Sequence, residues 1–163
     1  MTADKKMGSD PHNSAGTVLK NLLTPATLRY GVSISSKKRL LEELALLFTQ
    51  QDKDLDKDTV CRTLTERERL GSTSIGGGIA LPHGRLNGID RCLSSAIRLK
   101  QPLAFNSSDE EPITLAIALL VPADASKEHL NTLGALARLF NDAEHRQKIL
   151  AATDANSLLA LLV

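Results

Sequence analysis

Residues 113–121 read ITLAIALLV, a nearly unbroken apolar run held between Pro112 and Pro122. The run is far short of the ~20 apolar residues of a membrane helix. It also lacks the alternation of a strand with one wet face. It predicts a central strand buried on both sides, and such a strand needs structure stacked above and below it.

The flanking sequence supplies those layers. After Ser35-Ser36, residues Leu40, Leu41, Leu44, Leu47 and Phe48 recur at helical spacing, with Val32 and Ile34 forming a short strand just before. A charged connector at 51–58 ends in Asp56 and Asp58, either of which can cap a second helix over about 58–70. Val60, Cys61, Leu64 and Leu70 form the apolar side of that helix. Ile79–Leu81 is a strand stopped by Pro82, and Leu93–Leu99 reads as an alternating strand. The last third is helical. Leu130, Leu133, Leu136 or Ala137, and Phe140 line one side of 126–141, and shorter helices follow over 143–152 and 155–162. The fold class is therefore α/β, a single layered domain over residues 17–163, with connections too irregular for a doubly wound sheet. Residues 1–16 are polar and Gly/Pro-punctuated, which predicts a disordered tail.

Composition narrows the function. The 163 residues carry 20 basic and 19 acidic side chains and only four aromatic ones, Tyr30, Phe48, Phe105 and Phe140. A net charge of +1 leaves no electrostatic footprint for nucleic acid, and so few aromatics leave no stacking platform. No membrane helix or signal segment is present, so the expected location is the cytoplasm. Cys61 and Cys92 make neither a disulfide framework nor a cysteine-rich zinc site, and both read as small core residues.

Four histidines remain as groups that titrate near neutral pH. His83 stands in Leu81-Pro82-His83-Gly84-Arg85, where proline fixes the chain before it and glycine allows close approach after it. That setting suits a nucleophile or a ligand, and equally an ordinary loop histidine. His129 falls in the first turns of the helix beginning near Asp124–Ser126. A neutral imidazole there can orient an anion, or be no more than a polar first-turn residue. His12 falls in the tail, and His145 reads as part of a solvated face. No HxxxH, CxxC or HExxH spacing supports a metal site.

The segment Gly71-Ser72-Thr73-Ser74-Ile75-Gly76-Gly77-Gly78 fits no nucleotide motif. Gly71 and Gly76 have the outer spacing of a P-loop, but no Lys-Ser/Thr follows. A dinucleotide fingerprint lacks its third glycine, and GxSxG is absent. What remains is a hydroxyl-bearing turn with free backbone N–H groups that can hold a phosphoryl group. Arg67 and Arg69 close the helix before it. They either complement the helix dipole beside Glu66 and Glu68, or one reaches over the loop to clamp phosphoryl oxygens.

Taken together, Glu66-Arg67-Glu68 and the run from Gly71 through Arg85 closely resemble the active-site segment of phosphotransferase-system enzyme IIA proteins of the mannitol/fructose type, nearest to the nitrogen-regulatory branch. Glu128-His129-Leu130 resembles the second histidine region of that family. The resemblance implies a mixed central sheet flanked by helices and a phosphoryl group accepted on His83. It further implies His129 as the active-site neighbour and Arg67 as the active-site arginine, with Ser72, Thr73, Gly76 and Gly78 in the phosphoryl loop and no cofactor. One departure is Gly77, where the family often carries asparagine. The implied donor is a phosphohistidine carrier resembling HPr, or NPr in the nitrogen branch, docking on an apolar rim of Ile75, Ile79 and Leu86. Implied targets are potassium transport proteins or sensor kinases. The alternatives are a sugar-specific IIA component passing phosphate to a IIB domain, and a ligand-binding regulatory module that transfers nothing.

Overall fold

The computed structural model describes residues 19–105 and 111–163, excluding the side chains of 128–130. The expected tail at 1–16, with His12, lies outside the described residues. In chain order the elements are β1 (Leu28–Val32), α1 (Lys37–Gln51), α2 (Lys57–Arg69), β2 (Ser74–Gly76), β3 (Ile79–Ala80), β4 (His83–Leu86), β5 (Leu93–Leu103), β6 (Ile113–Pro122), α3 (Lys127–Asn141), α4 (Ala143–Ala151) and α5 (Ala155–Leu162).

Local chemistry starts the helices where the sequence predicts. Ser36 caps α1 by accepting from Arg39 N, and Asp56 caps α2 by accepting from Thr59 N. Asp142 and Asp154 do the same for α4 and α5. Each side-chain oxygen satisfies an N–H that the first turn leaves unpaired. Among the described residues no helix is long and apolar enough to cross a membrane.

The six strands form one mixed sheet in the order β1-β5-β6-β3-β2, with β4 also paired to β6. The predicted central strand is β6, buried along almost its whole length. Ala116, Ala118 and Leu120 face the core shared with α1 and α2. Leu115 and Ile117 face the core built with α3, α4 and α5. Helices on both faces leave no wet side, and this overturns the alternation expected for Leu93–Leu99. Ser94 and Ser95 are both fully buried. Their hydroxyls donate to the carbonyls of Ala118 (2.8 Å) and Leu44 (3.3 Å), which offsets the cost of removing them from water. Leu70 also departs from expectation: it lies beyond α2 as its C-cap and is 86% exposed.

β3 and β4 are one strand line interrupted at Leu81-Pro82. Both run parallel to β6 at a constant offset of 36, Ile79 opposite Leu115 and His83 opposite Leu119. Pro82 has no N–H to give, yet its carbonyl still accepts from Leu119 N at 2.9 Å, so the register survives the break.

Candidate active site

The break in the strand line determines the surroundings of His83. Before it, β3 is flanked on its outer side by β2, and Leu81 N still donates to Thr73 O at 3.0 Å. From His83 onward β2 has ended, so β4 pairs only with β6. Even-numbered Pro82 and Leu86 turn their carbonyls toward β6. By the alternation of a strand, His83 and Arg85 turn their backbone groups toward the open edge. Helix α2 packs over the sheet face that Gly84 and Leu86 share.

Gly84 lets the helix approach. A Cβ at this position would sit 2.6 Å from Thr63 Cγ2, closer than any relaxed contact, so only glycine admits α2 at its present distance. The close approach carries Arg67, in the last turn of α2, to the mouth of a cavity of about 720 Å³ that also takes in His83 and Arg85. Leu119 of β6 and Leu133 of α3 make its apolar floor, and exposed Leu70 stands at its rim.

The imidazole is held in one orientation. His83 Nδ1 lies 2.7 Å from the carbonyl oxygen of Leu81. A carbonyl can only accept, so Nδ1 carries the proton and Nε2 keeps its lone pair. Burial pulls the pKa of His83 below its ordinary value, and the charge of Arg67 acts in the same direction. The Leu81 hydrogen bond and the Glu68 carboxylate oppose that shift without cancelling it. The ring is therefore neutral, half-buried and nucleophilic at Nε2 near pH 7.

Arg67 is fixed as well, its Nη1 donating to Gly71 O at 2.9 Å. Gly71 adopts φ +153°, which turns the chain sharply enough for that contact. His83 and Arg67 thus meet in one cavity, as the sequence pattern anticipates. His129 belongs to α3, and its side chain lies outside the described residues.

The glycine turn lies farther along the strand line, while Thr73 stays beside Leu81, its carbonyl accepting from Leu81 N. Ser72 Oγ donates to Phe105 O at 3.2 Å, and Thr73 is buried against Glu68. Gly76 ends β2, and Gly77 and Gly78 make the turn into β3, where Gly78 O accepts from the amides of Thr114 and Leu115 at the start of β6. Five residues of nearly extended chain, roughly 16 Å, separate Gly78 from His83. Ser72, Thr73, Gly76 and Gly78 are all outside the cavity lining. The turn instead receives helix α4, with Arg146 packed directly over Gly77. Of the expected apolar rim, Ile79 and Leu86 are core residues, while Ile75 is exposed and lines a separate surface cavity with Ala137 and Phe140. Arg85 lines the same cavity as His83. Its signal in the sequence is strand period two from His83, which puts both side chains on one face.

The family model described as "Phosphoenolpyruvate-dependent sugar phosphotransferase system, EIIA 2" matches residues 21–163. The chain belongs to this family. Among type-2 enzyme IIA proteins, a nitrogen regulatory protein of Pseudomonas aeruginosa is 37% identical over 145 residues, covering 89% of this chain and 94% of that one. The nitrogen regulatory protein of Escherichia coli is 36% identical over 152 residues, covering 93% of each. The crystal structure of the nitrogen regulatory protein IIA-Ntr from Neisseria meningitidis superposes with a TM-score of 0.84 at 34% identity, over 90% of this chain and 99% of that one. IIA mannitol from E. coli shares the fold, with a TM-score of 0.68 at 18% identity over 86% of this chain and 99% of that one. The type-2 enzyme IIA fold is thus the mixed sheet between helical layers described above. Among the described residues, no three His, Cys, Asp or Glu side chains gather into a metal-holding group.

Proposed function

We propose that this type-2 enzyme IIA protein is a phosphocarrier and regulator that accepts a phosphoryl group on Nε2 of His83. The observation that carries the reading is the 2.7 Å bond from Nδ1 to the Leu81 carbonyl, which leaves Nε2 as the free nucleophile beside Arg67. The donor is a phosphohistidine on a small carrier protein of the HPr or NPr kind. As the Nε2–P bond forms, the donor's N–P bond breaks and its electron pair returns to the donor ring. Nδ1 keeps its proton throughout, and the Leu81 carbonyl strengthens its hold as the ring gains positive character. No proton has to move, so the work of the site is alignment and charge neutralisation. Arg67 supplies a guanidinium for the phosphoryl oxygens. His129 would support the phosphoryl group from α3, a role that rests on the family resemblance.

The nitrogen regulatory relatives favour a regulatory output in the cytoplasm. Adding a dianion at the cavity mouth changes which partners can dock there, with potassium transport proteins and sensor kinases as the proposed targets. The test is to incubate the protein with phosphoenolpyruvate, enzyme I and an HPr-like carrier. One histidine is labelled in the wild type and none in His83→Ala; label persisting in His83→Ala sinks the assignment.

A sugar-specific role is the second reading. A fructose-specific EIIA component of Haloferax volcanii is 30% identical over 118 residues, covering 72% of this chain and 77% of that protein. Onward transfer from labelled protein to a IIB domain would favour it over the regulatory role.

A further inference from the structure

Arg67 occupies an unfavourable place for a precise task. It sits in the last turn of α2, where carbonyls lack helical partners and the backbone frays. Its neighbour Glu68 is the one charged residue in the buried class among the described residues, at 8% exposure. The Glu68 carboxylate accepts from Thr73 N at 3.1 Å and from the Thr73 hydroxyl at 2.5 Å. Lys37 Nζ donates to it at 2.9 Å, and the same ammonium lies 4.4 Å from the centre of the Phe105 ring. One carboxylate therefore joins the first residue of α1, the last turn of α2 and the chain leading into β2.

Stability alone is a poor reason for this arrangement. A buried ion pair loses hydration on both partners, and an apolar replacement of equal volume often serves the fold as well. What an apolar residue lacks is direction. Three hydrogen bonds to one carboxylate fix the rotation of the final α2 turn about its own axis. Arg67, one position earlier, then has a fixed bearing toward His83.

We propose that Glu68 is a positioning residue for phosphoryl transfer at His83, pinning the last turn of α2, and with it Arg67, to Thr73 and Lys37. The inference rests on the phosphocarrier reading and adds a component to the site that touches no phosphoryl group itself. Displacing a catalytic group by about 1 Å costs up to roughly 100-fold in rate.

The test compares Glu68→Gln, Lys37→Met and Lys37→Arg with the wild type in single-turnover transfer from excess phosphorylated carrier, where kcat is the maximal rate of label transfer and KM the half-saturating carrier concentration. Glu68→Gln should lower kcat roughly 10- to 100-fold and change KM for the carrier by less than about threefold. Lys37→Met should lower kcat by a smaller factor, and Lys37→Arg should restore it. A folded Glu68→Gln with wild-type kcat overturns the proposal. Should Glu68→Gln fail to fold, wild-type kcat in folded Lys37→Met overturns it instead. A wild-type protein that takes no label refutes the phosphocarrier reading separately. The pin is then read from the Arg67 side-chain Nε–H resonance by NMR. That signal should broaden or shift in Glu68→Gln, and an unchanged signal overturns the pin.

Discussion

The Leu81 carbonyl and the His83 ring are two residues apart in sequence and 2.7 Å apart in space, and Pro82 between them makes the contact possible. Proline fixes the backbone torsion that lets the chain fold back on itself. The contact determines which ring nitrogen is nucleophilic. Nitrogen-15 NMR of the free protein should show His83 as the Nδ1–H tautomer, and of the phosphorylated protein as the Nε2 adduct. A neutral Nε2–H tautomer, or phosphorylation at Nδ1, would contradict the geometry.

Acidity should act on stability through the same ring. Burial holds the pKa of folded His83 below the ordinary 6.5. As pH falls, the unfolded chain therefore takes up this proton before the folded one. The contribution is fully present above 6.5, and is lost as pH drops from 6.5 through the lower folded value. Urea unfolding of the wild type and His83→Gln between pH 5 and 8 checks this. The stability difference, wild type minus variant, should be larger at pH 7.5 than at pH 5. A difference independent of pH would refute it.

Gly84 and Thr63 should behave as a coupled pair. Gly84→Ala places a methyl 2.6 Å from Thr63 Cγ2 and pushes α2 away from β4, at a cost of about 1–3 kcal/mol. Thr63→Ser removes the opposing methyl, so the double variant should lose less than the two single losses combined. Phosphoryl transfer should fall in Gly84→Ala and recover in the double variant. Additive unfolding free energies would show that the contact does not set the helix distance.

At the far end of the strand line, Gly77 has φ +63° and lies beneath Arg146, whose guanidinium occupies the space a side chain would need. Gly77→Asn, the residue the family often carries, should destabilise this chain by about 1–2 kcal/mol. Adding Arg146→Ala should recover part of that loss in a denaturation cycle. No recovery would mean that the backbone conformation, and not Arg146, is what excludes the side chain.

Arg98 ties the C-terminal helices to the sheet. Its Nη1 donates to Leu99 O (3.1 Å) and Thr114 O (3.2 Å), and its Nη2 to Leu150 O (3.1 Å). Tyr30 adds a 2.7 Å bond to Ala152 O beside it. Arg98→Leu should cost about 2–3 kcal/mol and speed hydrogen exchange in α4. Arg98→Lys should not rescue it, since one ammonium cannot span three carbonyls as the planar fork does. Unchanged exchange in α4 would remove Arg98 from this role.

Much of the molecule is legible from sequence because the signals are local. The apolar run of β6, the helix start after Ser35-Ser36, the pair Asp56 and Asp58 from which the α2 cap is drawn, and the Pro-His-Gly bracket around His83 each depend on neighbours a few residues away. The tertiary structure decided everything that depends on sheet order. Gly76 and Gly78 are close to His83 in sequence, yet β3 carries His83 away from their turn, while Thr73 folds back beside Leu81 because β2 runs antiparallel to β3. Ser94 and Ser95 read as half of an alternating strand until helices cover both faces. Leu70 and Leu86 are equally apolar, yet Leu70 falls past the end of α2 and is exposed, while Leu86 faces the core shared with α1 and α2. The sequence alone determined the α/β layering and marked His83 as a candidate by its Pro-Gly bracket; which guanidinium, carboxylate and apolar surface surround it followed from strand pairing, because side-chain period records a residue's face and not its partners.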